Sequence, residues 1–165
     1  MGAEVIGYSV EGRPLVVERV GSGPIDILMV GGIHGGYEAN SILLAREFLA
    51  YFRADPSELP PQFTLHVIEN MNPDGLHRVT AGTPIEEFNF REAETVPGRF
   101  NANWVDLNRN WDGEWQPTSY WRSREVDAGT APFSEPETRV VRDYFRRIEP
   151  VASLFFQSAA AGLWY

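Results

Sequence analysis

Along its first part the chain alternates between short apolar runs and clusters of Gly, Pro, Asn and Asp. Glu4-Val-Ile-Gly-Tyr-Ser9 and Leu15-Val-Val-Glu-Arg-Val20 read as two strands joined by a turn at Gly12-Arg-Pro14. Ile25-Asp-Ile-Leu-Met-Val30 is β-branched and bounded by Gly21, Gly23 and Pro24 before it and Gly31 and Gly32 after it, which predicts a buried third strand. From Asn40 to Phe52 the pattern changes to a helical period, with Ile42, Ala45, Leu49 and Phe52 on one stripe. Asp55-Pro-Ser-Glu-Leu-Pro-Pro61 is a surface connector, because proline ends the helix and biases its predecessor to extended backbone. Phe63-Thr-Leu-His-Val-Ile-Glu69 alternates as a fourth strand, and Asn70-Met-Asn-Pro-Asp-Gly75 closes it with turn chemistry.

From about residue 82 to residue 130 no period is sustained. A stretch so long without elements of its own is usually functional rather than linker. Four of the five tryptophans (Trp104, Trp111, Trp115 and Trp121) fall in it, which argues for a packed surface. Ser134-Glu-Pro-Glu137 then has the form of a capping box with proline in the first turn. Val141, Tyr144, Phe145 and Ile148 mark the expected buried stripe of a second helix, and Val151-Ala-Ser-Leu-Phe-Phe-Gln157 is an apolar fifth strand. The order β-β-β-α-β-loop-α-β predicts an α/β sandwich on a mixed sheet.

The 165 residues suit a single domain with a proper core, and 43% hydrophobic and 22% charged residues are ordinary for a soluble globular chain. A net charge of −9 argues against non-specific binding to nucleic acid or to anionic membranes. The absence of cysteine excludes disulfides and thiolate metal ligands. No stretch approaches a membrane span and no signal segment opens the sequence, so the compartment stays open.

Candidate chemistry gathers where strands end. His34 and Glu38 flank the loop between the third strand and the first helix, the place where open α/β sheets hold ligands. An imidazole and a carboxylate there could share a divalent metal; they could equally be a loop histidine and a helix-start glutamate favoured by the helix dipole. In Arg99-Phe-Asn-Ala-Asn-Trp-Val-Asp-Leu-Asn-Arg-Asn-Trp-Asp112, Asn108 and Arg109 could present an amide and a planar guanidinium to a carboxylate. Arg99 could polarise a carbonyl. The alternative is that Asp106, Asn108, Arg109 and Asp112 only tie down a long loop. His66, mid-strand, reads as structural; His77 is a better-placed spare ligand; Asp74 reads as an Asx-type turn residue.

Together, His34…Glu38, Asn72-Pro-Asp-Gly75, Arg99, Val105-Asp-Leu-Asn-Arg-Asn-Trp111 and Ser134-Glu-Pro-Glu-Thr138 resemble, in order, the zinc carboxypeptidase (carboxypeptidase A-like) family. The resemblance implies a three-layer α/β/α sandwich with a mixed, mainly parallel sheet. It implies one catalytic Zn2+ held in part by His34 and Glu38, with Asn108 and Arg109 anchoring a substrate carboxylate and Arg99 polarising the scissile carbonyl. The implied substrate is a peptide or an acyl-amino acid with a free carboxylate. The alternatives are a related acyl-amino-acid deacylase and a non-catalytic member that binds carboxylates without metal.

Three departures from the family pattern stand out. His34 and Glu38 have three residues between them where the family has two. The third ligand position, after the fifth strand, reads Phe155-Phe-Gln157-Ser158, with Gln157 in place of histidine. The family's catalytic glutamate and capping tyrosine lie beyond Tyr165, so the sequence reads as one partial catalytic domain over residues 1–165, its N-terminal half. Phe155, Phe156, Leu163, Trp164 and Tyr165 then form an apolar end expected to promote self-association.

Overall fold

The computed structural model describes residues 2–158. Strands β1 (Gly2–Tyr8) and β2 (Pro14–Gly21) form an antiparallel hairpin, followed by β3 (Ile25–Val30) and helix α1 (Ala39–Ala54). Strand β4 (Phe63–Ile68), helix α2 (Pro73–Thr80), a small hairpin of β5 (Thr118–Trp121) and β6 (Arg124–Asp127), helix α3 (Pro136–Ile148) and strand β7 (Ala152–Phe155) complete the order. The main sheet runs β1-β2-β4-β3-β7. It is mixed: β1–β2 and β2–β4 pair antiparallel, whereas β3 pairs parallel with β4 and with β7. Parallel pairing is thus half of the junctions rather than most of them, because β2 turns back on β1 and again lies antiparallel to β4.

The period-2 alternation of the strands feeds two separate layers. Leu15, Val17, Leu28, Val30 and Ile68 pack with Val141 and Tyr144 of α3 on one face. Val20, Met29, Leu65 and Val67 pack with Ala45 and Leu49 of α1 on the other. The expected stripe of α1 holds, with Ile42, Ala45 and Leu49 buried. In α3, Val141 and Tyr144 are buried but Phe145 is 41% exposed. His66 is structural, wedged between Tyr144 Oη at 2.6 Å and Asp26 Oδ1 at 2.7 Å.

Three local expectations are corrected. Asn72-Pro-Asp-Gly75 does not merely turn; it opens α2, with the Asn72 Oδ1 accepting from Gly75 N at 2.8 Å. Asp74 is therefore not the Asx residue but a buried acceptor for Ser9 Oγ, Glu11 N and Arg13, pinning the β1–β2 turn to α2. The capping box at Ser134–Glu137 does not form: the cap is Glu135, without a side-chain bond. Glu137 instead lies fully buried, accepting from Val10 N and Asn101 Nδ2. Finally, the aperiodic stretch contains a hairpin, whose strands are too short to show a pattern.

At the last strand, Phe155 meets Trp111 edge-to-face and Phe156 packs at a tilt on Phe48, so both join the core rather than an exposed end. Leu163, Trp164 and Tyr165 lie outside the described residues. No helix among the described residues is long and apolar enough to cross a membrane.

Candidate functional site

The site forms where β3 and β4 end on the same edge of the sheet. Beyond Val30 the chain must cross under α1, and it does so on glycine. A Cβ at Gly35 (φ +34°) would lie 2.5 Å from Asn72 O and 2.7 Å from Leu76 N, so this loop presses directly on the start of α2. The turn is closed by Tyr37 N donating to His34 O at 2.8 Å, with Glu38 N donating to the same oxygen at 3.3 Å. That geometry absorbs the additional residue between His34 and Glu38. It leaves Glu38 Oε2 3.1 Å from His34 Nδ1, with both side chains buried.

Asp106 organises the other side. Its Oδ1 lies 3.1 Å from His34 Nε2, and its Oδ2 accepts from Arg99 Nη2 at 2.8 Å and Nε at 3.0 Å. Burial pushes the Asp106 carboxyl up, but the hydrogen bond from His34 and the charge of Arg99 outweigh it and hold it below the ordinary carboxylate range. An ionised carboxylate only accepts, so a neutral His34 must donate from Nε2 and carry its lone pair on Nδ1. Burial pulls the Arg99 guanidinium downward against the opposing pull of Asp106. At neutral pH arginine stays charged. Arg99 Nη1 also reaches within 3.4 Å of His34 Nδ1.

The cluster therefore holds one guanidinium against two buried carboxylates, Asp106 and Glu38. Besides His34, Glu38 accepts from Ser158 N at 3.3 Å. Glu38 Oε2 and His34 Nδ1 are the pair that could hold a divalent cation, with Arg99 Nη1 the nearest positive group at 3.4 Å from the imidazole nitrogen.

Val105, Asp106 and the 3₁₀ turn Leu107–Arg109 continue the wall. Asp106 Oδ1 caps that turn by accepting from Asn108 N at 3.0 Å. Arg109 bonds to Asn108 O at 3.2 Å and to Tyr120 O of the hairpin at 3.0 Å, and its charge is felt at Arg99. The structure thus brings His34, Glu38 and Arg99 into direct contact and places Asn108 and Arg109 alongside. Gln157 follows β7 and is carried to the same corner by the Ser158–Glu38 bond. His77 is exposed on α2 and takes no part.

Sequence reasoning missed three contributors. Asp106 was weighed only as a loop anchor, although 72 residues separate it from the His34 it holds. Trp121 lies with its ring centroid 4.5 Å from Arg99 Cζ and packs edge-on to Tyr37 at 5.1 Å. Asn110, fully buried, bonds Ala128 O, Ala131 O and Ser134 Oγ while accepting from Glu135 N and Thr138 Oγ1. It locks the site wall to the start of α3. All three left a trace in the sequence, Trp121 in the aromatic cluster and Asp106 and Asn110 within Val105-Asp-Leu-Asn-Arg-Asn-Trp111, but none showed its partners.

The chain is thus an α/β/α sandwich with a buried His–Glu pair at its parallel strand ends. Over residues 1–165 the sequence matches the profile of the zinc carboxypeptidase family, and the chain belongs to that family. It is 31% identical over 149 residues to carboxypeptidase B of Astacus astacus, covering 85% of this chain and 48% of that protein. It is 34% identical over 119 residues to the human carboxypeptidase N catalytic chain, covering 64% of this chain and 25% of that one. Among solved structures, bovine thrombin-activatable fibrinolysis inhibitor in complex with tick carboxypeptidase inhibitor superposes with a TM-score of 0.72 at 23% identity. The match covers 93% of this chain and 51% of that one. Murein-tripeptide amidase from Escherichia coli O157 gives 0.65 at 23% identity, over 98% and 62% of the two chains. The chain spans about half or less of the curated relatives named here.

Proposed function

We propose that this chain carries the metal-binding and carboxylate-recognition half of a zinc-dependent carboxypeptidase that removes C-terminal residues from peptides. One observation carries the reading: Glu38 Oε2 and His34 Nδ1 sit 3.1 Å apart, both buried, with the other imidazole nitrogen already committed to Asp106. Two electron-pair donors aimed at one point fit a divalent cation, and the nitrogen–oxygen chemistry fits zinc. Gln157 offers a neutral amide rather than an imidazole, so the donor set fits zinc with less than the usual strength.

Bound by His34 and Glu38, the metal would supply Lewis acidity and a water of lowered pKa. The remaining work falls to side chains of the chain. Asp106 holds the imidazole in one tautomer and orientation, the supporting role that metal-bound histidines need. Arg99, fixed by two bonds to Asp106, directs its third nitrogen toward the corner and stabilises negative charge developing on a carbonyl oxygen. Asn108 and Arg109 would bind a free carboxylate and so select for a chain end.

Zinc titration of the purified chain tests this directly. Close to one zinc per chain is expected, lost in His34→Ala, with Gln157→His binding about tenfold tighter or more. Absence of zinc from both the parent and Gln157→His would overturn the reading. The glutamine also favours a second reading, a carboxylate-binding member without metal; zinc bound only by Gln157→His would select it.

A further inference from the structure

The hairpin of β5 and β6 is not explained by the chemistry above, yet its turn is placed at the mouth of the site. Register pairs Trp121 with Arg124, so Arg122 and Ser123 form the two-residue turn. Arg122 takes φ +54°, a conformation that favours glycine at such turns and that an arginine adopts at steric cost. Its guanidinium carbon lies 5.1 Å from the Trp121 ring centroid, and its Nη2 makes a long, exposed 3.4 Å bond to Tyr37 Oη. Tyr37 belongs to the turn between His34 and Glu38, so Arg122 stands at the rim of the proposed metal corner.

Charge accounting singles this rim out. Arg99 is neutralised by its two-point pair with Asp106. Neither Arg109 nor Arg122 forms an ion pair among the described residues. Among the described residues Arg109 bonds backbone carbonyls and Arg122 a phenol. Two guanidiniums without an ion pair among the described residues thus border one hairpin beside the site, in a chain of net charge −9. A single terminal carboxylate needs only one of them.

We propose that Arg122, presented by the hairpin and backed by Trp121, is a specificity determinant that selects dianionic substrates. These carry a second carboxylate on one of the two residues flanking the scissile amide, in addition to the terminal carboxylate. The proposal rests on the carboxypeptidase reading and deepens it by naming a substrate class.

Blocked dipeptides in matched pairs test it on the full chain loaded with zinc: acyl-Glu-Phe against acyl-Gln-Phe, and acyl-Phe-Glu against acyl-Phe-Gln. In one pair the glutamate member should have about a fivefold higher kcat/KM at low salt, the factor expected of a partly exposed ion pair. The ratio should fall toward one in Arg122→Ala and invert in Arg122→Glu. It should shrink with added salt as the exposed charge is screened. A parent ratio of one in both pairs, or a preference that survives in Arg122→Ala, would overturn the proposal. If no substrate is turned over, the specificity claim is read by binding, and the carboxypeptidase reading stands or falls on the zinc titration. Calorimetry with acyl-glutamate and acyl-glutamine then decides. Tighter acyl-glutamate binding that disappears in Arg122→Ala supports the anion site; equal or absent binding overturns it.

Discussion

At the scale of single residues, Asp106 has the largest influence on the site. Its two oxygens serve His34 and Arg99 from full burial, so removing its charge strands a buried guanidinium. Asp106→Asn should cost about 3–5 kcal/mol in urea unfolding, the range for breaking one partner of a buried pair. The pH dependence has a definite sign. Because the native carboxyl is held below its ordinary range, its stabilisation is complete above the unfolded-state value of about 3.9 and is lost as pH falls through the depressed native value. Unfolding followed from neutral to acid pH should show that loss in the parent and a flatter profile in Asp106→Asn. Glu137 contributes in the opposite sense, since burial raises its carboxyl and favours the protonated form. Its contribution is present at low pH and fades as pH rises through the raised native value.

At the scale of elements, the glycine loop after β3 sets the donor geometry. Gly35→Ala would drive a methyl into the backbone of Asn72 and Leu76, neither of which can rotate away. A loss of about 1–3 kcal/mol in stability is expected, together with weaker zinc binding in the same titration used for the parent. This loop was legible in the sequence because glycine after an apolar run marks a sharp, close-packed turn. Helix α2 was not, since Asn72-Pro-Asp-Gly75 carries the same residues as a simple turn and the helix has only eight residues. The capping box misled for a related reason. Glu137 has stronger partners in Val10 N and Asn101, which lie far away in sequence.

At the scale of the whole molecule, the sheet presents β7 as an edge, paired with β3 alone among the described residues. Leu154 is 39% exposed on it and Val151 is 69% exposed at its start. An open edge with apolar side chains pairs readily with another chain. The 165-residue chain should therefore self-associate with rising concentration in sedimentation velocity. Leu154→Lys should reduce that association by placing a charge on the edge. A chain that stays monomeric over a hundredfold range of about 1–100 μM would contradict this, that range spanning ordinary association strengths.

From residue order alone, the five strands of the main sheet, α1 and α3 followed, because hydrophobic period is a local property that each segment carries by itself. The resemblance to the zinc carboxypeptidase family rested on motifs that are likewise contiguous, and His34, Glu38, Arg99, Asn108 and Arg109 were all visible in them. Tertiary structure alone decided how those residues work together. That the extra loop residue is absorbed, that Asp106 bonds His34, and that Trp121 and Arg122 border the site all depend on distances between segments tens of residues apart. Such distances are set by packing of the layers against one another, and no local pattern in the chain encodes them.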